Sequence, residues 1–237
     1  MNTSPPLPSG ASARWLIAGA LISLGLVIAA AWQYSYSWLL AAAAALGGLA
    51  LLAVAGVVGR LERRYRAGWP APTERAIRVG LALGGLWVIE IGVNNILAPP
   101  LPGRDIFDDV IWAAIALGIL ILAAWSAQQA GRFTAGLAAG VWSGLASGLA
   151  ACATALAMIV FGMGFVARDP LNVVEWAERG AASGAPSLAA YLAGEMLAGA
   201  FLHLLILGLA MGAVLGVVGG GLGWIWRGLV RPRPPAG

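Results

Sequence analysis

The chain has 237 residues, of which 60% are hydrophobic and only 10% are charged, and its mean hydropathy is +0.86. Soluble domains interrupt their apolar runs with polar faces, so this composition argues against a soluble protein and favours one that is embedded in lipid. The net charge of +4 comes from arginines that stand beside the apolar runs, where anionic lipid headgroups are closer than nucleic acid. We therefore expect no binding to nucleic acid.

Six apolar runs follow one another along the chain, and each is long enough to cross a membrane as an α-helix. We predict an all-α, polytopic transmembrane bundle that forms a single domain over residues 14–231. A disordered cytoplasmic leader over 1–13 and a tail over 232–237 are expected to flank it. The predicted spans are 15–32, 38–58, 77–97, 106–125, 133–166 and 188–226.

The first apolar run could imitate a signal peptide, since it ends in small residues at Ala29, Ala30 and Ala31. Only one basic residue, Arg14, immediately precedes it, which is weak for a signal peptide. We therefore expect a retained helix rather than a cleaved leader.

The distribution of arginine predicts the orientation of the bundle. If both termini lie in the cytoplasm, the cytoplasmic segments hold 11 of the 14 arginines. The opposite segments then hold only Arg104, Arg168 and Arg179, together with six acids. The positive-inside rule predicts this arrangement, with both termini on the cytoplasmic side of the cell membrane.

The fifth and sixth runs are longer than a membrane requires. At about 1.5 Å per residue they would measure roughly 51 and 58 Å, against a hydrocarbon core of about 30 Å. We expect them to form a helical pair that projects beyond the outer surface. Between them, residues 169–180 predict one short helix with Asp169 as its cap, Pro170 in its first position and Gly180 at its end.

Glycines recur every four residues in the fifth and sixth runs, which places each set on one helix face. Glycine lets two helix backbones approach closely in lipid. We predict that the two rows pack against each other, although packing on other helices or on a second copy of the chain is an alternative. The rows are Gly136, Gly140, Gly144 and Gly148, and Gly208, Gly212, Gly216 and Gly220.

Polar residues inside the apolar runs are the candidates for a functional site, because an ionisable group in lipid is costly unless it is paired, protonated or hydrated. Glu90 and Asn94 share a face of the third run, and Asn95 follows directly. Glu195 and His203 lie eight residues apart in the sixth run, on neighbouring faces. A solute, proton or ion site and a purely structural hydrogen bond both fit these residues. The site interpretation predicts that Glu90 and Glu195 approach each other.

Enzymatic interpretations find little support in the sequence. Ser143 and Ser147 with His203 could suggest an intramembrane serine hydrolase of the rhomboid kind, but the local sequence around Ser147 lacks that family's first glycine. A single Cys152 and a single histidine offer no paired metal or haem ligands. We therefore expect no cofactor and no metal.

The loop between the second and third runs predicts contact with anionic lipid headgroups. Basic residues near an anionic membrane each contribute about 1 kcal/mol, and Trp69 can enter the headgroup zone. Docking of a cytosolic partner is the alternative for this loop. The residues expected to face the headgroups are Arg60, Arg63, Arg64, Arg66, Trp69, Arg75 and Arg78.

Two functions from different classes remain open on the sequence alone. The first is a transport-class protein, or the membrane subunit of a transporter, with a polar site around Glu90. The second is a non-catalytic accessory or scaffold subunit, docked to other membrane subunits or to a second copy of itself through its glycine faces. A lipid-acting enzyme is a distant third, because no nucleophile and base can be assigned together.

Overall fold

The structure, a computed structural model, describes residues 11–34, 36–65, 69–97 and 103–230. Within these ranges every regular element is a helix, and six helices are long and apolar enough to span a membrane. These helices support the prediction of a multi-pass integral membrane protein. Residues 1–10 of the expected leader, Arg66 and the expected tail over 232–237 lie outside the described residues.

The helices follow one another in an up-and-down order. A short helix, α6, lies between the two longest ones. The elements are α1 (Ala11–Tyr34), α2 (Trp38–Arg64), α3 (Ala71–Ile96), α4 (Arg104–Ala130), α5 (Phe133–Val166), α6 (Pro170–Glu175) and α7 (Leu188–Val230).

Most helices extend beyond the apolar runs that predicted them. α1 begins at Ala11, inside the expected leader, and Ser12 and Ala13 are buried in the bundle. α2 continues through its basic end to Arg64, where cations suit the negative end of the helix dipole. Apolar runs mark the part of a helix that lipid requires, whereas backbone hydrogen bonding continues into polar residues that also favour helix.

The helix α5 is the centre of the bundle. It contacts α1, α3, α4 and α7, and 56% of its most apolar stretch is buried, against 22–39% for the other spans. α2 lies at the periphery and packs mainly on α1. The side chain of Leu149 on α5 comes close to Gly19 of α1, so a small residue there lets α1 approach the centre.

The two glycine rows lie at the contact between α5 and α7. A methyl group placed on Gly144 would stand 2.7 Å from the Cα atom of Gly212, and one on Gly148 would stand 2.7 Å from the Cα atom of Gly208. These distances are too short for any side chain, so the close approach of the backbones needs glycine at these positions.

Two sets of contacts define the ends of the bundle. At the end formed by residues 103–104 and 166–188, the guanidinium of Arg104 reaches the carboxylate of Asp169 at 3.4 Å. This pair ties the start of α4 to the cap of α6, so the extra length of α5 is joined to the bundle at its end. At the opposite end, Arg227 donates to the carbonyl oxygens of Gln128 and Gln129 at 2.9 and 2.8 Å and completes the C-terminus of α4.

The short helix α6 follows its prediction at the start and departs from it at the end. Asp169 accepts a hydrogen bond from the backbone N–H of Leu171 at 2.9 Å, and Pro170 occupies the first helical position. After Glu175 the chain widens into a π-helical turn, Trp176–Gly180, and then a final turn over Ala181–Ser183 that ends at Gly184 with φ of +71°. Gly184 rather than Gly180 therefore has the left-handed conformation that ends the segment.

Candidate functional site

A polar cavity of about 270 Å³ lies between α3, α4, α5 and α7, near the end where Arg104 and Asp169 meet. Its polar wall comes from one stripe on α3 and one on α4, while α7 and α5 complete it. The lining residues are Glu90, Ile91, Asn94 and Asn95 on α3, Arg104, Asp108 and Trp112 on α4, Ala155 on α5, and Met196, Gly199, Ala200 and His203 on α7.

The centre of the polar wall is a bridge between two carboxyl groups. The side-chain amide of Asn94 donates to Glu90 Oε1 at 2.9 Å and to Asp108 Oδ1 at 2.7 Å. Both protons of the amide are therefore used, one for each carboxyl group. Glu90 and Asn94 are buried, with 8% and 5% of their surface exposed, whereas Asp108 is half-buried.

Two oxygens of this bridge have no hydrogen-bond partner among the described residues: Glu90 Oε2 and Asn94 Oδ1. Both can only accept a hydrogen bond unless the carboxyl is protonated. A buried acceptor without a donor costs about 1–3 kcal/mol. The site therefore favours whatever brings donors or positive charge to these oxygens.

Arg104, in the cavity wall, does not neutralise Glu90 or Asp108 by a direct ion pair. Its guanidinium pairs with Asp169, whose side chain is 9% exposed and which also caps α6. Glu90 and Asp108 share only a neutral amide between them. When both are ionised, their mutual repulsion in this partly buried setting raises the free energy of the site.

His203 closes the opposite side of the cavity. Its Nδ1 lies 2.7 Å from the carbonyl oxygen of Gly199, which can only accept, so Nδ1 holds a proton. In the neutral ring Nε2 is then an acceptor. The ring packs edge to face on Trp87, with centroids 4.9 Å apart, and Trp87 in turn packs on Trp112 at 5.3 Å.

Two of the helices that line the cavity depart from α-helical geometry at that point. Val93–Leu97 on α3 and His203–Ala210 on α7 are π-helical, and they contain Asn94, Asn95 and His203. Such widened turns are rare and occur often at functional sites. No family model, curated protein or solved structure matches this chain. The interpretation of the cavity therefore depends on its own geometry.

The structure brings together most of the polar residues that the sequence singled out. Glu90, Asn94, Asn95 and His203 all line the cavity. Asn95 has a separate local role as well, because its amide donates to the carbonyl of Ile91 on its own helix at 2.8 Å.

Glu195 is the exception. Its side chain is exposed, and it is absent from the lining of the cavity that holds Glu90. The reason is helical geometry: Met196, Gly199, Ala200 and His203 form the inward stripe of α7, and Glu195 is turned about 90° away from the centre of that stripe. The carboxyl group that shares a donor with Glu90 is therefore not the expected Glu195 but Asp108 on α4, through the amide of Asn94.

Sequence reasoning missed the contribution of α4. Arg104, Asp108 and Trp112 follow one another at intervals of four residues, so they form one face of the helix. Asp108 lies in the second turn of a helix whose cap is Gly103, with φ of +100°, and its carboxylate accepts from Asn94 of α3. The four-residue spacing of charged and aromatic groups was the available signal.

The serines of α5 serve packing rather than chemistry. Ser143 donates to the carbonyl of Ala139 on its own helix at 2.7 Å, and both Ser143 and Ser147 lie against glycines of α3 at Gly80 and Gly84. Neither serine lines the cavity that contains His203. The glycine spacing on α3 is a further small-residue motif that we did not single out.

The residues expected at the headgroups are divided between helix ends and the core. Arg60, Arg63 and Arg64 extend α2, while Arg75 and Arg78 belong to the first turns of α3, where Arg75 stacks on Trp125 at 4.3 Å. Trp69 differs from the expectation: it is 7% exposed and packs edge to face on Trp142 of α5, with centroids 5.2 Å apart. Its large apolar ring is buried in the bundle instead of in the headgroup zone.

Proposed function

We propose that this chain is a transport-class membrane protein, or the membrane subunit of a transporter, whose binding site is the cavity bounded by Glu90, Asp108 and His203. The observation that supports it best is the bridge of two carboxyl groups and one amide, with Glu90 and Asn94 buried, at the wall of a 270 Å³ cavity. Ionisable groups in membrane helices are rare and commonly mark substrate or ion pathways. A purely structural hydrogen bond would not need a cavity beside it.

The widened turns of α3 and α7 support the same function. A π-helical turn has looser backbone geometry than an α-helix and occurs often where a helix serves a site. Discontinuities in spanning helices, near the site of binding, are also a common feature of transporters. Glycine contacts hold the backbones of α5 and α7 close together, and would keep the two long helices in register while the cavity opens to one side or the other.

Access to the cavity from both sides of the membrane tests this proposal. We would place the single cysteine variant Met196→Cys in a Cys152→Ser background and treat sealed vesicles of each orientation with a membrane-impermeant maleimide. Met196 lines the cavity, so a transporter should react from both faces. The matched control is Leu205→Cys, whose side chain is exposed on the outside of the same helix and should stay unreactive in lipid.

Labelling from one face only, or from neither, would contradict transport by this chain alone. Equal labelling of the Leu205→Cys control would show that the reagent reaches the lipid phase, and the reagent would then be replaced by a bulkier, charged one.

The orientation with both termini in the cytoplasm is part of the same proposal. Eight described arginines lie at the end of the bundle that contains the start of α1 and the end of α7, and three lie at the end that contains α6. This asymmetry favours the cytoplasm for the first end. The arginines of α2 and α3 would then lie beside the anionic inner leaflet.

A scaffold function is the second candidate, and one observation favours it. An open apolar groove of about 640 Å³ lies between α1 and α2, lined by residues such as Val27, Ala44 and Leu49. Such a groove suits an acyl chain or the helix of another membrane subunit. Co-purification of a partner chain that is lost on substitution of Ala44 by Trp would support it, and an unaltered monomer would argue against it.

A further inference from the structure

We infer that the cavity between α3, α4, α5 and α7 binds a small organic ammonium cation. This inference rests on the proposed function, for which it names the class of ligand. The first reason is the negative charge of the cavity wall. Glu90 and Asp108 share the neutral amide of Asn94, and Arg104 has Asp169 as its ion-pair partner at 3.4 Å. Positive charge in the cavity relieves the repulsion between the two carboxylates.

The unpaired hydrogen-bond acceptors of the cavity also favour an ammonium cation. Glu90 Oε2 and Asn94 Oδ1 are buried acceptors without donors among the described residues, and both belong to side chains that line the cavity. The proton on Nδ1 of His203 leaves Nε2 as a third acceptor in the neutral ring. An ammonium group presents several donors and one positive charge, which matches a set of acceptors.

The size and the remaining wall favour an organic cation over a bare metal ion. A volume of 270 Å³ corresponds to roughly nine water molecules, which is more than a single ion fills. Met196, Ala155 and Ala200 supply an apolar surface for a short carbon chain, and Trp112 adds an aromatic ring, a group that attracts cations, to the lining. Among the described residues no group of three or more metal-binding side chains occurs.

Binding to the full chain in detergent tests the inference, with n-butylammonium as the probe. Isothermal titration at constant ionic strength should detect n-butylammonium and should give no signal with n-butanol, which has the same chain without the charge. Tetramethylammonium, which has charge but no N–H donors, should bind more weakly. Sodium chloride at the same concentration should compete little.

Substitutions then locate the site. Glu90→Gln and Asp108→Asn should each weaken the binding of n-butylammonium by about tenfold or more, as expected for the loss of a charged hydrogen bond. The matched controls are Glu195→Gln and Asp109→Asn, because both side chains are exposed and lie outside the cavity. They should bind with unchanged affinity. Asp108 is less buried than Glu90, so its variant provides the test if Glu90→Gln does not fold.

Three results would each overturn the inference. The first is n-butanol binding as tightly as n-butylammonium, and the second is unchanged affinity in both cavity variants. The third is sodium binding that depends on Glu90 and excludes the amine.

Uptake of labelled n-butylammonium into proteoliposomes is a separate measurement. Binding without uptake would contradict transport and leave the ligand class intact, whereas absence of binding would contradict the ligand class even if labelling at position 196 shows access from both faces.

Discussion

At the scale of single residues, Asn94 is the residue on which the site depends. Its amide is the only described donor shared by Glu90 and Asp108, at 2.9 and 2.7 Å, and it joins α3 to α4. Asn95, next in the chain, bonds only to the carbonyl of Ile91 on its own helix among the described contacts. Two neighbouring residues of the same type therefore have different roles.

We predict that Asn94→Leu lowers the free energy of unfolding by about 1–3 kcal/mol, because the buried Glu90 and the half-buried Asp108 lose their shared donor. Asn95→Leu should cost less than about 1 kcal/mol, since only a bond within one helix is lost. Denaturant unfolding in mixed micelles, followed by circular dichroism, measures both variants. Equal losses of stability in the two variants would show that the bridge between α3 and α4 contributes no more than the hydrogen bond within α3.

At the scale of elements, the contact between α5 and α7 depends on the absence of side chains. Backbone faces backbone along the glycine rows, so dispersion and weak Cα–H contacts replace the interdigitated side chains of a soluble core. A second glycine face of α7, at Gly219 and Gly223, lies against α4, where a methyl on Gly223 would stand 2.9 Å from the Cα atom of Ala124. One helix thus approaches two neighbours through different glycine faces.

Gly144→Ala should destabilise the protein by about 1–3 kcal/mol, because the new methyl group meets the backbone of α7 and the helices must separate. Gly221→Ala is the matched control on α7, since nothing lies within 4 Å of the methyl position there. It should change stability by less than about 1 kcal/mol, in the stabilising direction given by helix propensity. Thermal unfolding of both variants in one detergent compares them, and similar midpoints would contradict the close glycine contact.

The start of α6 offers a separate prediction at the element scale. Asp169 both accepts from the N–H of Leu171 and pairs with Arg104. Asp169→Asn keeps a cap oxygen and loses the charge, whereas Asp169→Ala loses both, so the alanine variant should be less stable by about 1 kcal/mol. Hydrogen exchange of the backbone amides of 171–175 measures the effect at the helix itself. Equal protection in the two variants would show that the cap contributes nothing.

At the scale of the whole molecule, the bundle is organised around a buried α5 and polarised in charge between its ends. The end that contains α6 has six acids, and the opposite end has two, Glu62 and Glu74. The cavity lies toward the acidic end. This arrangement would concentrate cations on the side of the membrane that α6 faces.

Cysteine accessibility tests the orientation with one residue at each end. In a Cys152→Ser background, Ala177→Cys should react with an impermeant maleimide added to intact cells, because the positive-inside rule places its end outside. Ala71→Cys should react only after the membrane is made permeable. Both positions are exposed, so reactivity reports the side of the membrane rather than burial. The reverse pattern would contradict the proposed orientation.

The sequence by itself determined the elements that follow from local chemistry. Six apolar runs gave six spanning helices, since every backbone group in lipid has to be satisfied within its own helix. The cap at Asp169 and the start of α5 and α7 at Phe133 and Leu188 also followed from local residues. The burial of Glu90 and Asn94 was predictable because a polar residue in an apolar run cannot remain in lipid without a partner.

Only the tertiary structure decided which partner each of these residues meets. The amide of Asn94 links Glu90 to Asp108 rather than to Glu195, and Trp69 packs on Trp142 rather than among headgroups. Such choices depend on the relative rotation of helices that are distant in sequence, and a rotation of one residue, about 100°, moves a side chain from the cavity to the lipid. The π-helical turns at Asn94 and His203 add to this rotation, because a widened turn changes the direction of the side chains that follow it.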